Sequence, residues 1–361
     1  MYLRIKSCIL KLAAGQNLEK DEIEAVVEEI IAGKASDAQI AAFLTALQIK
    51  GITPFELAIF AQTLQRDMPQ YEIGKMPLVV ASTGGDVVGL FNITTAASFI
   101  AAGAGATVIK HMYMRSGRAR GSAETLHVLG VNFNVTIEDM KKIVEKIGIG
   151  FTFMPLHLKV LHALQSKMQL GLRTAVDLVG PLITPIANSY RYIGVYSREA
   201  ADIITKSLQL LNVKRALVVC GLNGIDAFST LGKTACYELG ATLIQSRVYV
   251  PETFGFKQID VKELMGGSAE ENAKILKSIL NGEEKGAKAD IAILNAAAML
   301  YAANIAESIN EGVELAKESV ESGRAAEKLE LLIKETQRIA LERVKKTLEE
   351  FKKGITSEQN E

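Results

Sequence analysis

Through the first 68 residues apolar side chains recur three and four positions apart: Ile9, Leu12, Ile23, Val26, Val27, Ile30, Ile31, Ile40, Phe43, Leu44 and Leu47. That period puts them on one face of successive helices and leaves no alternating run that reads as a strand. Ser36-Asp37 and Thr53-Pro54 mark two helix starts, the second with proline at the first helical position. The stretch therefore predicts four short helices. After Pro69 and Pro77 the pattern changes. Short apolar runs (78-LVVA-81, 107-TVIK-110, 150-GFTF-153, 193-IGVY-196, 216-ALVVC-220 and 242-TLIQSRVYV-250) alternate with helical stretches. Such alternation predicts βαβ units around a parallel sheet. Helical spacing returns over 155–178, 268–281, 289–302, 304–321 and, highly charged, 325–353. The expected fold class is α/β: a small all-helical domain over residues 1–68, joined by the helices of about 155–178, an α/β domain over 75–340 with a central, mainly parallel sheet, and a charged helical tail over 341–361.

The chain has 361 residues, 48% of them hydrophobic, which is enough for a buried core. Lys+Arg and Asp+Glu both number 41. This balance counts against bulk nucleic-acid binding but leaves room for a local basic patch. Cys8, Cys220 and Cys236 are far apart and form no Cys-x-x-Cys pair, so neither a zinc site nor a disulfide framework is expected, and a reducing cytoplasm fits. No run reaches the roughly 18 apolar residues of a membrane span, and the N-terminal stretch lacks a secretion-signal core.

Candidate chemistry starts just after the first strand, in 82-STGGDVVGLFNITT-95. Gly84 and Gly85 let backbone amides turn toward a ligand with no Cβ in the way. Asn92, Thr94 and Thr95 stand at the start of the next helix, where unpaired amides and the helix dipole favour an anion. Asp86 suits ribose hydroxyls or a metal. These features describe a phosphate cradle; an ordinary capped loop is the other reading. A second loop, 110-KHMYMRSGRARG-121, carries Lys110, Arg115, Arg118 and Arg120, four cations in eleven residues. It reads as a phosphate-gripping segment or as a solvated basic turn.

The first loop resembles the Gly-Thr-Gly-Gly-Asp…Asn-Ile-Ser-Thr signature of the anthranilate phosphoribosyltransferase family, a glycosyltransferase family related to nucleoside phosphorylases. Further stretches agree in order and spacing: 37-DAQIAAFLTALQIKG-51, 110-KH-111, 121-GSAETLHVLGVN-132, 170-LGLRT-174, 180-GPL-182, 193-IGVY-196, 271-ENAKILKSILNG-282 and 294-LNAAAMLY-301. The resemblance implies a helical domain and an α/β domain with the site in the cleft between them, and a homodimer formed through the helical domain. It also implies transfer of phosphoribosyl from phosphoribosyl pyrophosphate (PRPP) to the amine of anthranilate, with Mg2+, in tryptophan biosynthesis. By the same carry-over Ser82, Thr83, Gly84, Gly85, Asp86, Asn92, Thr94, Thr95, Lys110, Arg115, Arg118, Gly121 and Ser122 contact PRPP. His111, Tyr113, His157 and Lys167 line the acceptor pocket, and Thr94 and Asp226 hold metal. Lys110 and Asp86 act electrostatically, and no residue stands out as an acid or base.

The chain also departs from the family pattern. Ala227 replaces the glutamate after Asp226, and a methyl group cannot ligate a cation, so the second magnesium site is weakened. Tyr113 replaces an asparagine. Lys167 replaces the arginine that pairs with the acceptor carboxylate, keeping the charge without the planar fork. Two alternatives follow. One is a changed acceptor or a phosphorylase, suggested by the Ser-Gly-Arg loop 116-SGRARG-121. The other is a non-catalytic relative that binds nucleic acid through that loop.

Overall fold

A computed structural model describes residues 4–84, 89–112, 121–153, 170–240 and 243–358. The helical start of the chain forms α1 (Arg4–Ala13), α2 (Lys20–Ile31), α3 (Asp37–Lys50) and α4 (Pro54–Gln65). Their boundaries follow local chemistry. Ser36 and Thr53 accept from the backbone amides of Gln39 and Glu56, whose side chains reach back in turn, and Pro54 opens α4. Inside this bundle the Lys50 ammonium lies 2.5 Å from the Glu56 carboxylate, with side chains only 3% and 0% exposed. Glu56 also accepts from the amides of Leu18 and Thr53, both at 2.8 Å.

The rest of the chain builds one seven-stranded sheet. Its strands are β1 (Leu78–Ser82), β2 (Val108–Met112), β3 (Ile149–Phe153), β4 (Tyr190–Gly194), β5 (Ala216–Gly221), β6 (Thr234–Leu239) and β7 (Ile244–Tyr249), in the order β3-β2-β1-β4-β5-β6-β7. The first five are mutually parallel, and β6 runs antiparallel to both of its neighbours, β5 and β7. The expected α/β class with a helical domain and a mainly parallel sheet is therefore the observed one. The sequence pattern misses β6, which is buried on both faces and so lacks the alternation that marks a strand. β4 begins and ends earlier than 193–196, because Tyr190 and Arg191 join the ladder beside β1.

Successive residues of the sheet serve two cores. Tyr192, Leu217, Val219 and Cys236 pack with α5 (Ile93–Gly103) and, late in the chain, α11 (Ala287–Ala302), α12 (Ile309–Glu321) and α13 (Arg324–Glu358). Ile193, Val218, Cys220 and Tyr237 pack instead with the four N-terminal helices, α8 (Ala175–Val179) and α9 (Arg198–Leu210). The remaining helices are α6 (Ser122–Val128), α7 (Ile137–Ile147) and α10 (Ala269–Leu280). α12 starts at Ile309 rather than 304, since Asn304 takes a left-handed turn and Ser308 caps the helix. α13 runs unbroken across residue 341. All three cysteines are free and buried. Among the described residues no helix is long and apolar enough to cross a membrane.

The chain steps from β1 to β2 to β3 in one direction and later returns to place β4 on the other side of β1. In open parallel sheets such a reversal leaves a crevice at the carboxyl ends of the two central strands, and ligands bind there. Here that point is where Ser82 pairs with Gly194.

Removing the Glu56 carboxylate leaves the Lys50 ammonium buried without its anion. Glu56→Ala is expected to lower unfolding free energy by about 3–5 kcal/mol in urea denaturation, and Glu56→Gln, which keeps hydrogen-bonding oxygen, by less.

Candidate active site

Beyond the carboxyl end of β1 the chain is held at two consecutive residues. The Thr83 amide donates to the Gly194 carbonyl at 2.9 Å. Gly84 has φ 64, in the left-handed region that a side chain disfavours, and its carbonyl accepts from Arg173 Nη1 at 2.7 Å. The Thr83 hydroxyl is buried and makes no hydrogen bond among the described residues. A buried hydroxyl left over beside a crevice points to a ligand group that completes it.

The next wall is the start of α5. Asn92 precedes the helix but its side chain does not cap it; Asn92 Oδ1 accepts from Thr125 Oγ1 of α6 at 2.7 Å. Thr95 Oγ1 donates to Ser122 Oγ at 2.9 Å, so the first turns of α5 and α6 lie side by side, with Gly121 just ahead of α6. Lys110 rises from β2 into this corner, only 4% exposed, and its Nζ donates to Thr94 Oγ1 at 2.9 Å. Burial lowers the Lys110 pKa to about 8, against the upward pull of the Asp226 carboxylate. The corner thus combines a buried ammonium, a helix N-terminus and several hydroxyls, a setting for a multiply charged anion.

Asp226 lies in the loop between β5 and β6. A Cβ at Gly194 would stand 1.8 Å from the Asp226 carbonyl oxygen, so only glycine lets this loop close over the end of β4. Asn295 fixes the loop from below. Its side chain accepts from the Phe228 amide at 2.9 Å and from the Tyr192 hydroxyl at 2.7 Å, and donates to the Phe228 carbonyl at 2.8 Å. Asn272 does similar work on the opposite rim. It bonds both backbone groups of Gly267, whose neighbour Gly266 donates to the Gly89 carbonyl at 3.0 Å. Neither asparagine is marked as a site residue by its sequence surroundings.

The structure brings Ser82, Thr83, Gly84, Asn92, Thr94, Thr95, Lys110, Gly121, Ser122 and Asp226 to the carboxyl-end region of the sheet. His111 is buried, its Nδ1 hydrogen-bonded to Thr152 Oγ1 of β3. As its neighbour in the strand, His111 takes the face opposite Lys110. Gly85, Asp86, Tyr113, Arg115, Arg118, His157 and Lys167 lie outside the described residues. For a metal, the candidate oxygens among the described residues are the Asp226 carboxylate and the Thr94 hydroxyl. Among the described residues no group of three or more His, Cys, Asp or Glu could hold an ion. This sparse, all-oxygen set fits a small hard cation that keeps waters and phosphate oxygens as its other ligands, and fits no dedicated protein cage. Ala227 turns its methyl into the core.

A family model described as "Glycosyl transferase family, a/b domain" matches residues 77–326, and one described as "Glycosyl transferase family, helical bundle domain" matches residues 6–68. An anthranilate phosphoribosyltransferase of Methanocorpusculum labreanum is 39% identical over 332 residues, covering 91% of this chain and 97% of that protein. One of Dehalococcoides mccartyi is 39% identical over 339 residues, covering 93% and 99%. The chain belongs to the anthranilate phosphoribosyltransferase family. The crystal structure of a Thermus thermophilus family member superposes with a TM-score of 0.84 at 34% identity, over 91% of this chain and 99% of that one. The Saccharomyces cerevisiae member, solved in complex with PRPP and Mg, shares the fold with a TM-score of 0.84 at 24% identity, over 92% and 98%.

In this family member a charge on Lys110 would make anion binding at the corner pH-dependent. The protonated form attracts the anion, so a bound anion raises the lysine pKa above about 8. Relative to Lys110→Met at the same pH, a ratio in which the ligand's own titration cancels, affinity for inorganic pyrophosphate is expected to fall as pH rises through 8, by up to about tenfold per unit. Lys110→Met should also weaken binding at pH 7, as read by titration calorimetry.

Proposed function

We propose that the chain transfers the phosphoribosyl group of PRPP to the amine of an aromatic acid, anthranilate by default, in the cytoplasm as a step of tryptophan biosynthesis. The observation that carries the reading is the buried Lys110 ammonium at the start of α5, facing Asp226. In the reaction the C1–oxygen bond to pyrophosphate breaks and its electron pair leaves with the pyrophosphate. The amine lone pair forms the C1–N bond and the nitrogen sheds a proton. Positive charge builds on the ribose and negative charge on the leaving group. Fixed positive charge and amide dipoles aimed at the leaving group therefore accelerate the step without a strong base.

Lys110, the α5 amides, Ser122 and the unsatisfied Thr83 hydroxyl bind and orient the diphosphate in this reading. Asp226 and Thr94 would hold Mg2+, which neutralises leaving-group charge when bound. With Ala227 in place of a second carboxylate, one protein-held magnesium site remains. His111, Tyr113, His157 and Lys167 form the acceptor side, and Lys167 meets the acceptor carboxylate as a point charge rather than a fork. The working unit is a homodimer. Leu10 of α1 and Ile49 of α3, 68% and 82% exposed on neighbouring helices of the bundle, support an interface there.

Consumption of anthranilate fluorescence should depend on PRPP and Mg2+, and the magnesium dependence should fit a single class of site. Lys110→Met should lower kcat by about 100- to 1,000-fold, and Asp226→Asn should weaken the magnesium dependence. No response to millimolar PRPP with Mg2+ sinks the proposal, and turnover of nucleoside with phosphate would favour a phosphorylase. Light scattering should give a dimer mass, with Ile49→Glu shifting it toward monomer.

A further inference from the structure

Arg173 comes from a segment far from the donor bend in sequence. It sits between Gly171 and Thr174, and Thr174 caps α8, which packs against α3 and α4 on the helical side of the molecule. From there its Nη1 reaches the Gly84 carbonyl at 2.7 Å. Its guanidinium carbon lies 4.0 Å from the centre of the Tyr196 ring, just past the end of β4. A planar cation stacked on an aromatic face has its plane fixed, and its fork then points in one direction. We infer that Arg173 is a positioning residue for PRPP, acting through the Gly84 carbonyl, with Tyr196 holding its guanidinium in place. This rests on the proposed reading that the bend after β1 receives the diphosphate.

The bend needs such a hold. Thr83 is tied to β4 through its amide, and Gly84 follows at a left-handed φ of 64 that few residues adopt. Arg173 thus adds a second tie, on the Gly84 carbonyl, to the one the Thr83 amide makes with Gly194. Because α8 belongs to the helical side, the same contact joins the donor bend to the elements across the crevice.

A direct charge contact with the diphosphate is the competing role, and the conservative variant separates the two. Arg173→Lys keeps the charge but loses the stacked plane. Tyr196→Leu removes the platform without touching charge, and Tyr196→Phe keeps it. Steady-state kinetics should show the KM for PRPP raised at least tenfold in Arg173→Lys and at least threefold in Tyr196→Leu, with Tyr196→Phe within twofold of the parent. The KM for anthranilate should stay within twofold and kcat within threefold throughout. In ligand-free protein, NMR-detected hydrogen exchange at the Thr83 amide should accelerate at least tenfold in Arg173→Lys. A lysine variant with parental PRPP affinity, donor and acceptor KM values rising together, or unchanged exchange at Thr83 would overturn the inference. A parent chain that ignores PRPP sinks the proposed function instead, and the exchange measurement still decides the role of Arg173 in the bend.

Discussion

A buried ammonium needs compensation on every side, and that requirement organises the carboxyl end of this sheet. Lys110 is almost fully enclosed: burial lowers its pKa to about 8, the Asp226 carboxylate pulls it back up, and the Thr94 hydroxyl at the start of α5 accepts from its Nζ. Both neighbours are fixed by other parts of the fold. Thr94 is set by the register of α5 on the sheet, and Asp226 by a loop that closes only because β4 ends in glycine. The cation, the helix start and the acid are consequently one rigid unit. Its incomplete neutralisation is what an incoming diphosphate would satisfy.

The rigidity comes from polar clamps rather than from packing alone. Asn295 uses one buried side chain to bond three backbone groups and a tyrosine hydroxyl, which keeps the loop bearing Asp226 from relaxing. Asn272 steadies the rim that meets Gly89. The first clamp joins a late helix to the loop between β5 and β6, and the second orders the late turn whose Gly266 amide bonds the Gly89 carbonyl. The last third of the chain thereby supports a candidate site whose residues lie in the first two thirds. Networks of this kind are worth having only when every member is satisfied, since a half-made one leaves buried polar groups exposed to the core.

How much of this was legible depends on the range of the interaction. Caps such as Ser36 and Thr53 act over three residues, so the four N-terminal helices show in the sequence. The glycines and threonines after β1 are legible for the same reason, since turn and helix-start chemistry is local. β6 was hidden because both of its faces are buried, and the early start of β4 because Arg191 is a polar residue in the interior. Asn295 and Arg173 act on partners 67 and 89 positions away, and no spacing rule reaches so far. The family resemblance located motifs containing both residues.

The three buried thiols have a practical corollary. Burial pushes the Cys8 and Cys220 thiols up to about 11 and Cys236 higher still, so little thiolate forms near neutrality, and reagents seldom reach what does. The native chain is in effect silent toward maleimides. A single cysteine added to an exposed turn of the helical bundle, and another on the sheet side, would carry fluorophores without stripping the natural ones. Separation between the two lobes then becomes measurable in solution, turnover by turnover.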